Sequence, residues 1–263
     1  MINAPHKRLG GKLGQNFILD DNIHRELVKK SGVTPDMMAL EIGAGLGGLT
    51  RALADVCARV ISIEIDRGLE SDLRVIERNH PNVEIIMGDA LTLDFAKLIG
   101  DAGHIALVAN LPYCITTEIL LKAFRFAPAF DIIACMTQKE VAEKWTRERG
   151  SQLAVWAHGI GEPRIEWILP PTVFVPPPSI DSAFVVQSRH ERPPFAPDKY
   201  ADINRVMNAA FLSRRKTLRN NLKSTFHLTG EDTNRWLLRA DIDGDRRAEE
   251  LTAQEFARLS ECR

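Results

Sequence analysis

Cysteine is scarce and scattered in this chain: Cys57, Cys114, Cys135 and Cys262 are the four in 263 residues, with no CxxC pair and no histidine-rich tract beside them. That argues against a disulfide framework or a structural zinc site, and makes a reducing cytoplasm the expected location. No apolar run approaches the roughly 18 residues needed to cross a bilayer, so no membrane is expected among the partners. The first residues are basic but lack an apolar core behind them, and so do not read as a secretory signal. Internal repeats are missing too. His24, His80, His104 and His158 have no partners at metal-ligand spacing and read as surface or packing residues; no metal is expected. Apolar and charged residues make up 44% and 26% of the chain, near the globular average. The length suffices for one large domain with a small appendage.

The net charge of −1 gives the whole molecule no push towards nucleic acid, but its charges are unevenly spread. Leu212 to Lys223 carries Arg214, Arg215, Lys216, Arg219 and Lys223 without an acid, and Lys7, Arg8 and Lys12 are likewise unopposed. Leu218 and Leu222, four apart, predict one helix whose apolar side docks while its basic residues face solvent. A solvated helix face and a phosphate-binding surface look alike at this level, and both readings stay open.

From Met37 to about Gln138, short apolar runs ending in small or polar residues alternate with stretches of helical spacing. This pattern predicts an α/β fold with a parallel sheet covered by helices. Asp20 or Asp21 caps a preceding helix with Ile23, Leu27 and Val28 on one side. Two further strands flank the proline-rich Pro170–Pro178, and Pro193, Pro194 and Pro197 mark a linker before a wholly helical end. The expected domains are 1–190 and 191–263.

Glu41-Ile-Gly-Ala-Gly-Leu-Gly-Gly-Leu-Thr50 follows the first of those strands and opens a helix. Glycines there permit a sharp turn and close approach of a ligand. Gly43, Gly45 and Gly48 satisfy GxGxxG, and Glu64 lies about 20 residues on, placed to accept from ribose hydroxyls; so far a nicotinamide dinucleotide enzyme fits equally well. Asp89 ends the third strand, where it either caps a turn or accepts from an adenine amine. Asn110-Leu-Pro-Tyr113 ends the fourth, where hydride transfer has no use for it. An adenine amine is a poor nucleophile because its lone pair is delocalised into the ring. Two acceptors on its hydrogens, the Asn110 side chain and the Leu111 carbonyl, would favour a tetrahedral nitrogen facing a methyl sulfonium. Pro112 would stiffen that carbonyl and Tyr113 offer a stacking face for an extruded base. Such a reaction needs no strong base, metal or covalent nucleophile. Phe174 is a second candidate platform, although an aromatic before prolines is more often packing. Cys114 reads as packing.

Together with Lys12-Leu-Gly-Gln-Asn-Phe17, Pro177-Pro-Ser-Ile-Asp-Ser-Ala183, the segment Phe211–Leu222 and Arg247-Ala-Glu-Glu-Leu251, these motifs resemble the ribosomal RNA adenine dimethyltransferase family, above all its small-subunit branch. The resemblance implies a Rossmann-like S-adenosylmethionine-dependent methyltransferase sheet with a reversed final strand and a small helical C-terminal domain. It implies cofactor contacts from Asn16, Ile18, Gly43, Glu64, Asp89 and Asn110, and a base held between Tyr113 and Phe174. The implied substrate is a pair of adjacent adenosines in the 3′-terminal hairpin loop of 16S rRNA within the assembling 30S subunit, dimethylated at N6, with no obligatory protein partner. Ile18 and Cys114 depart from residues frequent in that family. Rival readings are a large-subunit (23S) rRNA methyltransferase of the resistance type, a DNA adenine relative, and an assembly factor whose catalysis is incidental.

Overall fold

The computed structural model describes residues 15–125 and 130–263. Lys7, Arg8 and Lys12 lie outside the described residues. The described residues fall into two compact units: one takes those up to Ala142 together with Arg164–Ser188, the other Glu143–Pro163 with Arg189–Arg263. The sequence pattern puts 143–163 within the first domain; in the structure these residues pack with the C-terminal helices.

In the first unit the strands are β1 (Phe17–Ile18), β2 (Met38–Ile42), β3 (Arg59–Glu64), β4 (Val83–Met87), β5 (Ile105–Asn110), β6 (Ile132–Gln138), β7 (Gly161–Leu169, begun in the other unit), β8 (Phe174–Val175) and β9 (Ser182–Arg189). Seven of them form one sheet in the order β4-β3-β2-β5-β6-β9-β7. β4, β3, β2, β5 and β6 are mutually parallel, and β9 runs antiparallel to β6 with Ala134 opposite Val186. β2 and β5 read as continuous apolar runs because both sheet faces are covered; Ala39, Leu40, Ala106, Leu107 and Val108 are all fully buried. Around the sheet lie α1 (Asp21–Ser31), α2 (Gly48–Ala54), α3 (Glu70–Asn79), α4 (Phe95–Ile99) and α5 (Thr116–Arg125); α6 (Lys139–Thr146) begins in this unit and ends in the other. Asp20 rather than Asp21 caps α1, accepting from the Asn22 N–H at 2.8 Å.

The chain runs outward from β2 to β4 and then returns to place β5 on the other side of β2. The order of strands therefore reverses between β2 and β5, and a ligand crevice is expected beyond their carboxyl ends. The glycine loop leaves β2 there, and Asn110 is the last residue of β5.

The second unit contains α7 (Gln152–Ile160), α8 (Tyr200–Ala210), α9 (Leu218–Phe226), α10 (Gly230–Arg239) and α11 (Ala253–Glu261). α7 is apolar on nearly every side because it is the core of this unit: Trp156 is fully buried, with the Phe195 and Tyr200 rings 5.2 and 5.6 Å away. α9 starts at Leu218 with Thr217 as its cap, so Arg214, Arg215 and Lys216 occupy the turn before the helix, not the helix expected from sequence. Asn221 fixes that turn, donating to the Ala210 and Ser213 carbonyls at 2.7 and 2.9 Å.

Candidate active site

A crevice of about 240 Å³ opens at the strand-order reversal and is walled by the glycine loop, Glu64, Asp89 and the Asn110–Cys114 turn. Gly43 and Gly45 have φ of +83° and +55°, a left-handed backbone that other residues adopt only with strain. Gly45 is also crowded: a Cβ there would press on the Phe17 ring at 3.2 Å, whereas one at Gly43 would make only ordinary contact, 3.5 Å from the Asn110 carbonyl. The requirement for glycine thus comes partly from the protein itself. Gly48 is constrained differently, by the His24 imidazole packed against it.

Glu64 is buried, yet its carboxylate is well served by backbone donors. Gly45 N–H donates to Oε2 at 2.8 Å, and Ile65 and Asp66 N–H donate to Oε1 at 3.0 and 2.8 Å. Oε2 keeps acceptor capacity towards the crevice, as a ribose hydroxyl would require. Asp89 is both a turn cap and a wall residue: its Oδ1 accepts from the Leu91 N–H at 2.8 Å while the residue lines the crevice, so the two sequence readings are not exclusive.

Asn110 Nδ2 donates to the Asn16 carbonyl at 3.2 Å, which commits the donor end of the amide to the protein and leaves Oδ1 as the acceptor. Leu111 is pinned by its N–H to the Met136 carbonyl at 3.1 Å, and the Pro112 carbonyl accepts from Thr116 Oγ1 at 2.9 Å. Tyr113 is half-buried with its hydroxyl bonded to Ser182 Oγ, and burial raises its phenol above the usual range. The structure thus brings Asn16, Ile18, Gly43, Gly45, Glu64, Asp89, Asn110, Leu111, Pro112 and Tyr113 to one crevice.

Phe174 is not brought there. Its β8 pairs with β1, setting it opposite Ile18, and its ring is 2% exposed within the apolar core. In the structure it packs, whereas Tyr113 lines the crevice. Cys114 corrects the opposite way: it is exposed at the crevice, not packed. Arg219 is half taken up by an ion pair with Asp245 at 3.2 Å, whereas Arg214, Arg215, Lys216 and Lys223 are exposed.

Three wall residues have no site role legible in the sequence. Phe17 closes the crevice against Gly45, His24 is buried, and burial lowers its imidazole to about 4, so it is neutral at physiological pH. Glu41 is fully buried and accepts from Thr50 Oγ1 at 2.6 Å and from Ser62 Oγ, and burial pushes its carboxyl up to about 8 against those two hydrogen bonds. A buried apolar-strand acid such as Glu41 has no signature beyond lying in the glycine motif. Because its folded value is raised above the unfolded one, its contribution to stability is fully present below the usual carboxylate range and is lost as pH rises towards 8. Thermal melts at intervals from pH 5 to 8 should show the wild type losing stability relative to Glu41→Gln, which keeps an acceptor but cannot ionise. A constant difference across that range would mean Glu41 is ionised in the folded protein.

Sheet order, crevice and glycine loop define a Rossmann-like methyltransferase. The match to the family described as ribosomal RNA adenine dimethylase extends over residues 7–262, and the chain belongs to that family. Ribosomal RNA small subunit methyltransferase A of Chelativorans sp. is 40% identical over 257 residues, covering 94% of this chain and 90% of its own. The protein of the same name from Magnetococcus marinus is 38% identical over 98% of this chain and 91% of its own. Among solved structures, the 23S rRNA methyltransferase ErmE aligns with a TM-score of 0.67 at 26% identity, covering 94% of this chain and 99% of that one. A dimethyladenosine transferase from Plasmodium falciparum aligns at 0.70 and 21% identity over 92% and 95%, a likeness of fold.

Proposed function

We propose that this protein transfers methyl groups from S-adenosylmethionine to N6 of two adjacent adenosines in the 3′-terminal hairpin loop of 16S rRNA, yielding N6,N6-dimethyladenosine during small-subunit assembly in the cytoplasm, without an obligatory protein partner. The observation that carries the reading is the Asn110–Tyr113 turn facing the glycine loop across the strand-order reversal, with the Asn110 amide already oriented as an acceptor. Near-full-length relatives named for the small subunit support that substrate over the large-subunit one, which rests on a more distant structural likeness.

The residues present fit the cofactor. Glu64 offers acceptor capacity to a ribose, Asp89 Oδ2 to an adenine amine, and the backbone around Gly43 and Gly45 admits close approach. When bound, the sulfonium supplies an activated methyl group. The protein's task is then to hold the target nitrogen: Asn110 Oδ1 and the Leu111 carbonyl accept hydrogen bonds from its two N–H groups, which favours a tetrahedral nitrogen whose lone pair is out of conjugation with the ring and aimed at the methyl carbon. Tyr113 stacks on the extruded base, its hydroxyl held by Ser182. Incubating the protein with S-adenosylmethionine and unmethylated small subunits tests the reading; particle binding without methyl incorporation would leave only an assembly role.

The turn bearing Arg214, Arg215 and Lys216, with Lys223 on α9, is proposed as an rRNA-binding surface, and Lys7, Arg8 and Lys12, outside the described residues, are proposed as further phosphate contacts. The α9 N–H groups of Leu218 and Arg219 are already taken by the Arg246 and Gly244 carbonyls, so phosphate would be held by side chains and not by the helix end. Changing Arg214, Arg215 and Lys216 to Glu should weaken particle binding by orders of magnitude. Its salt dependence should flatten by roughly one unit of slope for each phosphate no longer neutralised. Cofactor affinity should stay the same. Both affinities, measured across a salt series, check this; wild-type slope in the triple variant would remove the turn from the interface.

A further inference from the structure

The loop Gly88–Leu93 that carries Asp89 has carbonyls turned towards α5, and one side chain collects them. Lys122 Nζ donates to the Ala90 and Leu91 carbonyls at 2.8 and 2.9 Å and also to the Leu93 carbonyl, which uses all three ammonium hydrogens. The ammonium also lies 4.4 Å from the centroid of the buried Phe95 ring, and Asp89 and Asp94 add attraction. At its other end α5 is tied to the target-amine turn, through Thr116 Oγ1 to the Pro112 carbonyl. One helix therefore braces two walls of the crevice, the Asp89 loop and the Asn110–Tyr113 turn. An ordinary surface lysine would leave its ammonium in water.

We infer that Lys122 is a positioning residue for cofactor recognition: by capping three carbonyls of the loop it holds Asp89 where its free carboxylate oxygen meets the adenine amine. This rests on the reading of Asp89 as the adenine contact. Lys122 touches neither cofactor nor substrate. Its effect is on selectivity for the 6-amine, because that selectivity depends on where Asp89 stands, whereas general damage to the fold would weaken every ligand alike.

The test compares dissociation constants of S-adenosylhomocysteine and its inosine counterpart, in which a carbonyl replaces the 6-amine, by titration calorimetry on the full chain. The wild type should prefer the adenosine form. Lys122→Met should lose that preference by about tenfold, the scale of one hydrogen bond to a charged group. Lys122→Gln, with two donors left, should fall between and serves should the Met variant fail to fold. An unchanged preference in a folded Lys122 variant overturns the inference. Asp89→Ala separates the two claims: if it keeps the preference, the adenine reading of Asp89 fails; if it loses the preference while Lys122→Met keeps it, only the role of Lys122 fails.

Discussion

Asn110→Ala should lower methyl transfer about a hundredfold or more at saturating substrate, a loss of roughly 3 kcal/mol of transition-state stabilisation. The size follows from what the side chain does. Its Oδ1 is one of two acceptors able to pull the adenine lone pair out of conjugation, and the need for it grows as the nitrogen becomes tetrahedral. The bond from Asn110 Nδ2 to the Asn16 carbonyl means the acceptor is set before substrate arrives. Alanine also removes that brace, so a modest weakening of cofactor binding should accompany the loss of rate. RNA binding should fall far less than the rate, since the basic turn lies in the other compact unit. Single-turnover rates beside particle affinities give the comparison. Near-normal turnover would reduce Asn110 to a turn-forming residue.

Gly45→Asp should abolish S-adenosylmethionine binding in a protein that remains folded. At φ +55° the new side chain is strained, and its Cβ would sit 3.2 Å from the Phe17 ring. More important is the charge. Gly45 N–H donates to Glu64 Oε2 at 2.8 Å, so a carboxylate on residue 45 would stand beside the buried Glu64 carboxylate and compete for the same wall. Gly45→Ala carries the backbone and steric cost without the charge, and should weaken binding less. Calorimetry on both variants, with melting curves to establish folding, decides the matter; wild-type affinity in a folded Gly45→Asp protein would place the cofactor elsewhere.

The sheet was legible because parallel strands buried on both faces are continuous apolar runs, and each ends at the residue its site needs: Gly43, Glu64, Asp89 and Asn110 stand at or just beyond the ends of β2, β3, β4 and β5. The site was legible for the same reason, as strand ends converge on one edge. What escaped was set by tertiary packing. α7 is buried nearly all round, so its sequence shows no polar face to mark it as a helix. The two-residue strands β1 and β8 are too short for periodicity to register, yet their pairing decides that Phe174 lies opposite Ile18 in the core and not at the crevice. Thr217 caps α9, so the helix begins beyond Arg214, Arg215 and Lys216, which the charge pattern had grouped with it. The carbonyls that Lys122 gathers are main-chain atoms, and no side-chain pattern announces them.

The central claim is most directly tested by offering labelled S-adenosylmethionine and the protein an equal mixture of unmethylated small and large ribosomal subunits, then mapping the modified nucleotides. Label should appear as N6,N6-dimethyladenosine at two adjacent positions in the 3′-terminal hairpin of 16S rRNA, with two methyl groups on each. Label confined to 23S rRNA, or particle binding with no methyl transferred, would contradict it.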